Sequence, residues 1–205
     1  QKRPALDAYR RFIQGFGSVV LGIEKDLFEA QLGQKKKDKG LEYDHQLTPE
    51  DLSQLVEIFK DIVKDHTGTA LAQDPWELLQ QAIGAVFTSW NNPRAVTYRD
   101  HNHIPHDLGT GCVIMAMVFG NLGPDSGTGV LFTRNPANGA NEVFGEFLAN
   151  AQGEDVVAGI RTPDRLSTVA EENPAIYAEI QQTALQLERH YRDVQDIEFT
   201  IEQGK

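Results

Sequence analysis

Apolar residues recur every three to four positions over roughly the first third of the chain, and further on the period shortens towards two. Ala8, Phe12 and Phe16 share one four-residue spacing and Tyr9 and Ile13 another, which predicts an amphipathic helix with Arg10 and Arg11 beside its stripe. Leu27, Phe28 and Leu32 predict a second, short helix. Thr48-Pro49-Glu50-Asp51 is a helix start: threonine can cap, proline fits the first helical position, and Asp51 can close a capping box. Leu52, Leu55, Val56, Phe59 and Val63 then form one face, and Gly68 is the expected stop. Asp74-Pro75-Trp76-Glu77 opens another helix, continued by Leu78, Leu79, Ala82, Val86 and Trp90 and ended by Asn91-Asn92-Pro93.

Beyond this point strand signals take over. Ala95–Tyr98 reads as a short strand, and Cys112–Phe119 is a continuous apolar run of strand length, expected to be buried together with Cys112. Gly120-Asn121 and Pro124–Gly127 punctuate it, and Gly127-Thr128-Gly129 reads as a hairpin or turn. Val130–Thr133, Glu142–Leu148 and Asp155–Ile160 are further strand candidates. A helix from Pro174 to Tyr191 buries Ile176, Ile180, Ala184 and Leu187, and a last strand runs from Asp196 to Ile201. Helices first, then strands with a covering helix, predict an α+β fold with a helical subdomain up to about residue 72.

Composition narrows the function classes. A net charge of −11 disfavours non-specific nucleic-acid binding, which rests on neutralising phosphates. The chain contains no apolar run long enough for a membrane helix, and the basic start Gln1-Lys2-Arg3-Pro4 has no apolar block behind it. A lone cysteine leaves no internal disulfide framework and fits a reducing compartment. Lys35-Lys36-Lys37-Asp38-Lys39 reads as a solvated loop between helices, and His101, His103 and His106 as an exposed loop rather than a zinc site.

The clearest chemical signal is Asp196 with Glu198. Two residues apart on a strand, they face the same way about 6–7 Å apart, and paired carboxylates favour a shared hard cation such as Mg²⁺, although a solvated edge strand alternates in the same way. Arg134, just past a strand, could clamp phosphate oxygens or pair with a nearby acid. Glu146 could line a ligand pocket or pair with Arg134 or Arg161. Met115, Met117 and Val118 read first as part of a buried strand.

Four stretches carry a family resemblance in order and spacing: Phe132–Pro136, Gly145–Gln152, Gly153–Pro163 and Gln195–Phe199. Together they resemble the nucleotide-binding region of the pyruvate, phosphate dikinases, over essentially the whole chain. The resemblance implies part of an ATP-grasp domain, in which ATP lies between two lobes. It implies a helical subdomain over residues 1–72, part of the first lobe and the linker over 73–118, and the second lobe over 119–205. Asp196 and Glu198 would hold Mg²⁺ beside the ATP phosphates and act in catalysis. Met115, Met117 and Val118 would border the adenine, with methionine at 115 where the family often has glutamine. Glu146 and Arg134 would complete the nucleotide contacts.

The parent would convert ATP, phosphate and pyruvate to AMP, pyrophosphate and phosphoenolpyruvate. It would be a cytoplasmic or organellar homodimer bearing a swivelling phosphohistidine domain and a pyruvate barrel. A glycine-rich segment with a catalytic lysine and an arginine would precede Gln1, and a glutamine and an arginine would follow Lys205. The isolated piece would then be inactive and bind Mg-ATP weakly. A water dikinase and a non-catalytic module with the same fold are the competing expectations.

Overall fold

Two units carry separate cores in the computed structural model, which describes residues 2–157 and 162–205: the unit that runs to residue 114 has a core built from helices, and the unit from residue 115 onward holds a four-stranded antiparallel sheet. The structure is thus a mixed α and β one, with helices gathered in the first unit and around one small sheet in the second.

In the first unit α1 (Lys2–Val19), α2 (Lys25–Lys39) and α3 (Pro49–Thr67) pack around Ile13, Phe28, Leu52, Leu55 and Phe59, all fully buried. The Phe28 and Phe59 rings meet edge to face, 5.0 Å between centroids. Thr48 caps α3 and Asp51 closes the box, and Gly68 ends the helix in the left-handed conformation, as the sequence predicts. α4 (Pro75–Ser89) starts on an Asp74 cap.

Three expectations change. Ala95–Tyr98 lies within α5 (Pro93–His101): Asn92-Pro93 serves as N-cap and first helical residue, so the proline that ends one helix begins the next. The lysine run is the last part of α2 rather than a loop, closed by left-handed Gly40, a helix end where cations are favoured. Lys36 reaches Asp44 and Lys39 reaches Asp51, at 2.8 and 3.1 Å. The third change is the stripe of α1. Phe12 is 39% exposed, whereas Arg10 is buried, because Asp7, Gln14 and Asp44 supply oxygens to its guanidinium. A buried cation is tolerable only with such partners.

The second unit contains β1 (Gly127–Phe132), β2 (Phe144–Ala149), α6 (Gly153–Val157), β3 (Asp164–Arg165), α7 (Leu166–Glu172), α8 (Pro174–Tyr191) and β4 (Asp196–Ile201). The strand order is β3-β2-β1-β4. Its core gathers Leu131, Phe147, Ile197, Phe199 and Ile201 from the sheet with Leu166 and Val169 of α7 and Ile176, Ile180 and Ala184 of α8.

Gly127-Thr128-Gly129 is strand, not turn. Gly129 pairs with Phe147 on one side and Phe199 on the other, and those two rings stack, 6.2 Å apart and 6° from parallel. A Cβ on Gly129 would stand 2.5 Å from the Phe199 ring and from the Glu146 carbonyl, and one on Gly127 would collide with the Phe147 ring. The glycines are there because neighbouring aromatics occupy the space of their side chains.

Two further strand expectations fail. The start of the Asp155–Ile160 candidate is helical in α6, and its end lies outside the described residues. Cys112–Phe119 forms no strand: Cys112 is half-buried, and Val113 and Met115 are 88% and 80% exposed. Apolar character makes a strand only where a neighbouring strand supplies ladder bonds, and among the described residues none lies alongside it.

Two measurements check this account. Gly129→Ala should destabilise the second unit by about 1–3 kcal/mol in urea unfolding, whereas Gly15→Ala, in open space within α1, should be neutral or stabilise by up to about 1 kcal/mol. The second concerns acid. Burial would raise the Asp44 carboxyl, but the Lys36 hydrogen bond and the Arg10, Lys36 and Arg11 charges outweigh it and hold the group below its ordinary 3.8. The Thr48 hydrogen bond, then that from Lys39, outweighs burial at Asp51 and lowers that carboxyl too. Because both are depressed on folding, their contribution is present above the ordinary value of 3.8 and is lost as pH falls through their lower folded values. Helical circular dichroism should therefore show the first unit weakening below about pH 4, and Asp44→Asn should flatten that dependence.

Candidate functional site

The two faces of the sheet differ in character because strand side chains alternate. On the core face of β4 stand Ile197, Phe199 and Ile201, and on the other stand Asp196, Glu198 and Thr200, all exposed. Pairing extends that second face across the sheet. Glu198 lies opposite Val130, Val130 opposite Glu146, and Glu146 opposite Arg165 of β3. One row thus reads Arg165, Glu146, Val130, Glu198, with the Glu146 and Glu198 backbones about 10 Å apart.

At one end this face is covered. Thr128 and Leu148 are buried, and α6 packs on β1. The Thr128 hydroxyl donates to the Phe199 carbonyl at 3.0 Å. Beside the covered end a depression of about 320 Å³ is lined by Met117, Val118, Gly120, Gln152, Gly153 and Thr200. Its size is at the lower end of small-molecule sites. Thr200 follows Glu198 on the same face of β4, so depression and carboxylates are neighbours along one strand.

Of the residues singled out from sequence, Asp196, Glu198 and Glu146 share this face, and Met117 and Val118 wall the depression beside it. Met115 is not among the lining residues. Arg134 is held elsewhere. Its Nη2 and Nε both donate to Glu188 Oε1 of α8, at 2.7 and 3.1 Å, so the suggested pair with Glu146 does not form. The Arg134 hydrogen bond, aided by one from Thr133, holds the Glu188 carboxyl below its ordinary value. Arg161 lies outside the described residues. The three histidines are exposed, His101 as the last residue of α5 and His103 and His106 beyond it, and His106 is used locally: Arg99 stacks on Trp90 and donates to His106 Nδ1 at 3.0 Å. Among the described residues no three His, Cys, Asp or Glu side chains gather as a metal cage. Two carboxylates on one strand instead suit Mg²⁺ shared with a ligand's own oxygens.

Sequence reasoning passed over Gly120, Gln152 and Glu202. A Cβ on Gly120 would strike the carbonyls of Ala151 and Gly127, so only glycine lets the chain enter the depression's wall here. Gln152 donates to Asn121 at 3.3 Å. Glu202 Oε2 accepts the Phe119 N–H at 2.6 Å and so ties the residue after Val118 to the end of β4. The close glycine was the one signal available, since the Glu202 contact spans a sequence separation that no local pattern reveals.

Residues 28–183 match the family model "Pyruvate phosphate dikinase, AMP/ATP-binding domain". The chain is 48% identical over 204 residues to a pyruvate, phosphate dikinase of Clostridium symbiosum, covering 99% of this chain and 23% of that protein. It is 50% identical over 204 residues to the chloroplastic pyruvate, phosphate dikinase of Mesembryanthemum crystallinum, covering 100% and 22%. Against the pyruvate, phosphate dikinase of Rhizobium meliloti it is 48% identical over 215 residues, covering 99% and 24%. The chain thus spans about a quarter or less of the length of these curated relatives.

The Glu202 tether is directly testable. Glu202→Ala should speed hydrogen exchange at the Phe119 amide by about tenfold to a hundredfold, the equivalent of one charge-assisted hydrogen bond. Glu202→Gln, which keeps an acceptor, should lose less.

Proposed function

The chain belongs to the pyruvate phosphate dikinase AMP/ATP-binding domain family, and on that premise we propose that the open face of its sheet holds the phosphates of Mg-ATP while the adjoining depression receives the adenine. The single observation that carries this reading is the common face: Asp196, Glu198 and Glu146 stand beside a depression walled by Met117 and Val118. The Met117 and Val118 side chains offer an apolar wall. Among the described residues no hydrogen bond uses the Met117 and Val118 backbone groups, which leaves them for the polar edge of a base.

Asp196 and Glu198 would hold Mg²⁺, which would supply neutralisation of the phosphate charge. Glu146 would face the same ligand from across β1, with Arg165 its neighbour on β3. In this reading Arg134 keeps the end of β1 on α8 through Glu188 and serves the site by positioning the strand, and Met115 flanks the approach to the depression. In this reading residues 1–72 are a helical subdomain, 73–118 part of the first ATP-grasp lobe with the linker, and 119–205 the second lobe.

The full-length protein would use ATP, phosphate and pyruvate to form AMP, pyrophosphate and phosphoenolpyruvate. A swivelling domain with a phosphorylatable histidine and a barrel that binds pyruvate would lie elsewhere in it.

Glu198→Gln in the full-length protein tests this. It preserves size and removes one charge, and should lower ATP-driven histidine phosphorylation by at least about a hundredfold with little change in unfolding midpoint. A near-normal rate at limiting Mg²⁺ would remove Glu198 from the site. Phosphoenolpyruvate formation should also require phosphate; undiminished product without it would identify a water dikinase.

A further inference from the structure

Arg99 fastens the chain that leaves α5, and it is only 4% exposed. Its guanidinium stacks on the Trp90 ring at 3.9 Å, and Nη1 donates to the Trp90 carbonyl at 2.6 Å. Nε donates to His106 Nδ1 at 3.0 Å. The Trp90 indole N–H donates in turn to the His106 carbonyl, also at 3.0 Å. These bonds fold the loop after α5 back onto that helix. Ile104 N–H reaches the Arg99 carbonyl at 3.0 Å, Pro105 has no N–H to give, and His106 makes the next contacts.

The donor at Nδ1 fixes the state of the ring. Arginine offers only N–H donors, so Nδ1 must present its lone pair, and a neutral imidazole with a bare Nδ1 carries its proton on Nε2. Nε2–H then donates to Asp100 Oδ1 at 2.9 Å. Arg99 and Asp100, both of α5, are the charged groups bonded to the ring, and the end of α4 brings only the uncharged Trp90. His101, His103 and Asp107 are the other titratable residues beside it along the chain. A second proton on His106 goes to Nδ1 and leaves two donors and no acceptor. That proton and the Arg99 bond exclude each other, because two cations would meet N–H to N–H at hydrogen-bond distance. Asp100 can stay with the ring in either state, but this pair is 54% and 62% exposed, and an exposed pair holds a loop weakly.

We propose that His106 is a proton-released clasp. Neutral, it fastens residues 102–107 to α5 through Arg99; protonated, it leaves Arg99 and lets the loop open. Arg99 keeps its bond to the Trp90 carbonyl and its stacking on the ring in both states, so the helix stays in place and only the loop is released. The clasp works over about pH 5 to 8, the interval in which histidine is the side chain that changes charge. That interval lies above the acid range that weakens the Asp44 and Asp51 contacts, so the two effects separate. The inference stands on the Arg99 and His106 geometry and is independent of the nucleotide reading.

Residue-resolved hydrogen exchange on the full-length protein, corrected for the intrinsic pH dependence of exchange, tests it. Protection of the Ile104 amide should fall by about tenfold or more between about pH 8 and about pH 5.5, the equivalent of one charge-assisted hydrogen bond, while the Tyr98 amide inside α5 keeps its protection. His106→Asn sets an acceptor where Nδ1 stands and cannot gain a proton, so Ile104 should be protected at both pH values. His106→Ala should leave it unprotected at both. The ¹⁵N shifts of the His106 ring, assigned by their loss in His106→Asn, should place the proton on Nε2 at about pH 8. Protection that does not change with pH would overturn the proposal. So would a fall that persists in His106→Asn, full protection in His106→Ala, or a proton found on Nδ1 at about pH 8.

Discussion

The absence of side chains along the core face of β1 is the constraint on which the second unit rests. Leu131 is the one β1 residue that sends a side chain into that core; at Gly129 and Gly127 the space belongs to rings from β2 and β4. Phe147 and Phe199 lean over the central strand from both sides and stack across it. Three strands are thereby held by one aromatic contact, and the orientation of every alternating residue on β2 and β4 is fixed. A one-residue slip of β4 would bring Asp196 and Glu198 into the apolar core, so the packing of two phenylalanines on one face sets where the carboxylates stand on the other.

The first unit solves a different problem with a different device. Its α1 buries Asp7, Arg10 and Gln14 as well as Ile13 and Phe16. Arg10 bonds Asp7 at 2.6 Å and Asp44 at 3.3 Å, and Lys36 also reaches Asp44, so the helix-to-helix connection between α2 and α3 is tied into the same polar network. Arg3 adds hydrogen bonds to the Asp44 and Leu47 carbonyls. Buried ion pairs of this kind contribute little net stability against an apolar alternative, but they penalise any packing that separates them. The hydrophobic contacts supply the driving force here, and the ions select one arrangement of it.

Much of this was legible in the sequence where a local rule decides the outcome. The Thr48 to Asp51 box, the Asp74 helix start and the Gly68 stop each depend on residues within one turn. Pro174–Tyr191 and Asp196–Ile201 have the extents that their periodicity predicts. The alternation that sets Asp196 and Glu198 on one face is likewise local, and so was readable. Several misreadings share a cause: a distant partner overrode the local pattern. Arg10 looked like a flanking charge because Asp44 is remote in sequence. Gly127-Thr128-Gly129 looked like a turn because the rings that require glycine come from Phe147 and Phe199. Cys112–Phe119 looked like a buried strand because composition reports apolarity and says nothing of a neighbouring ladder. Arg134 offered two roles from sequence, and Glu188 on α8 supplies the partner of one.

The division of the two cores along the chain bears on how the protein is made. Every buried apolar residue of the helical core lies between Ile13 and Leu71, so the contacts it needs are available once that stretch has left the ribosome. The sheet has no such early closure: β1 cannot complete its pairing until Ile201 has been synthesised. In the interval the bare glycine strand and the apolar core face at Leu131 and Phe147 are displayed to solvent or to chaperones. Synthesis therefore passes through a stage at which a finished helical unit precedes an unfinished sheet, and the rate of elongation through the segment between β2 and β4 sets how long that apolar surface stays uncovered.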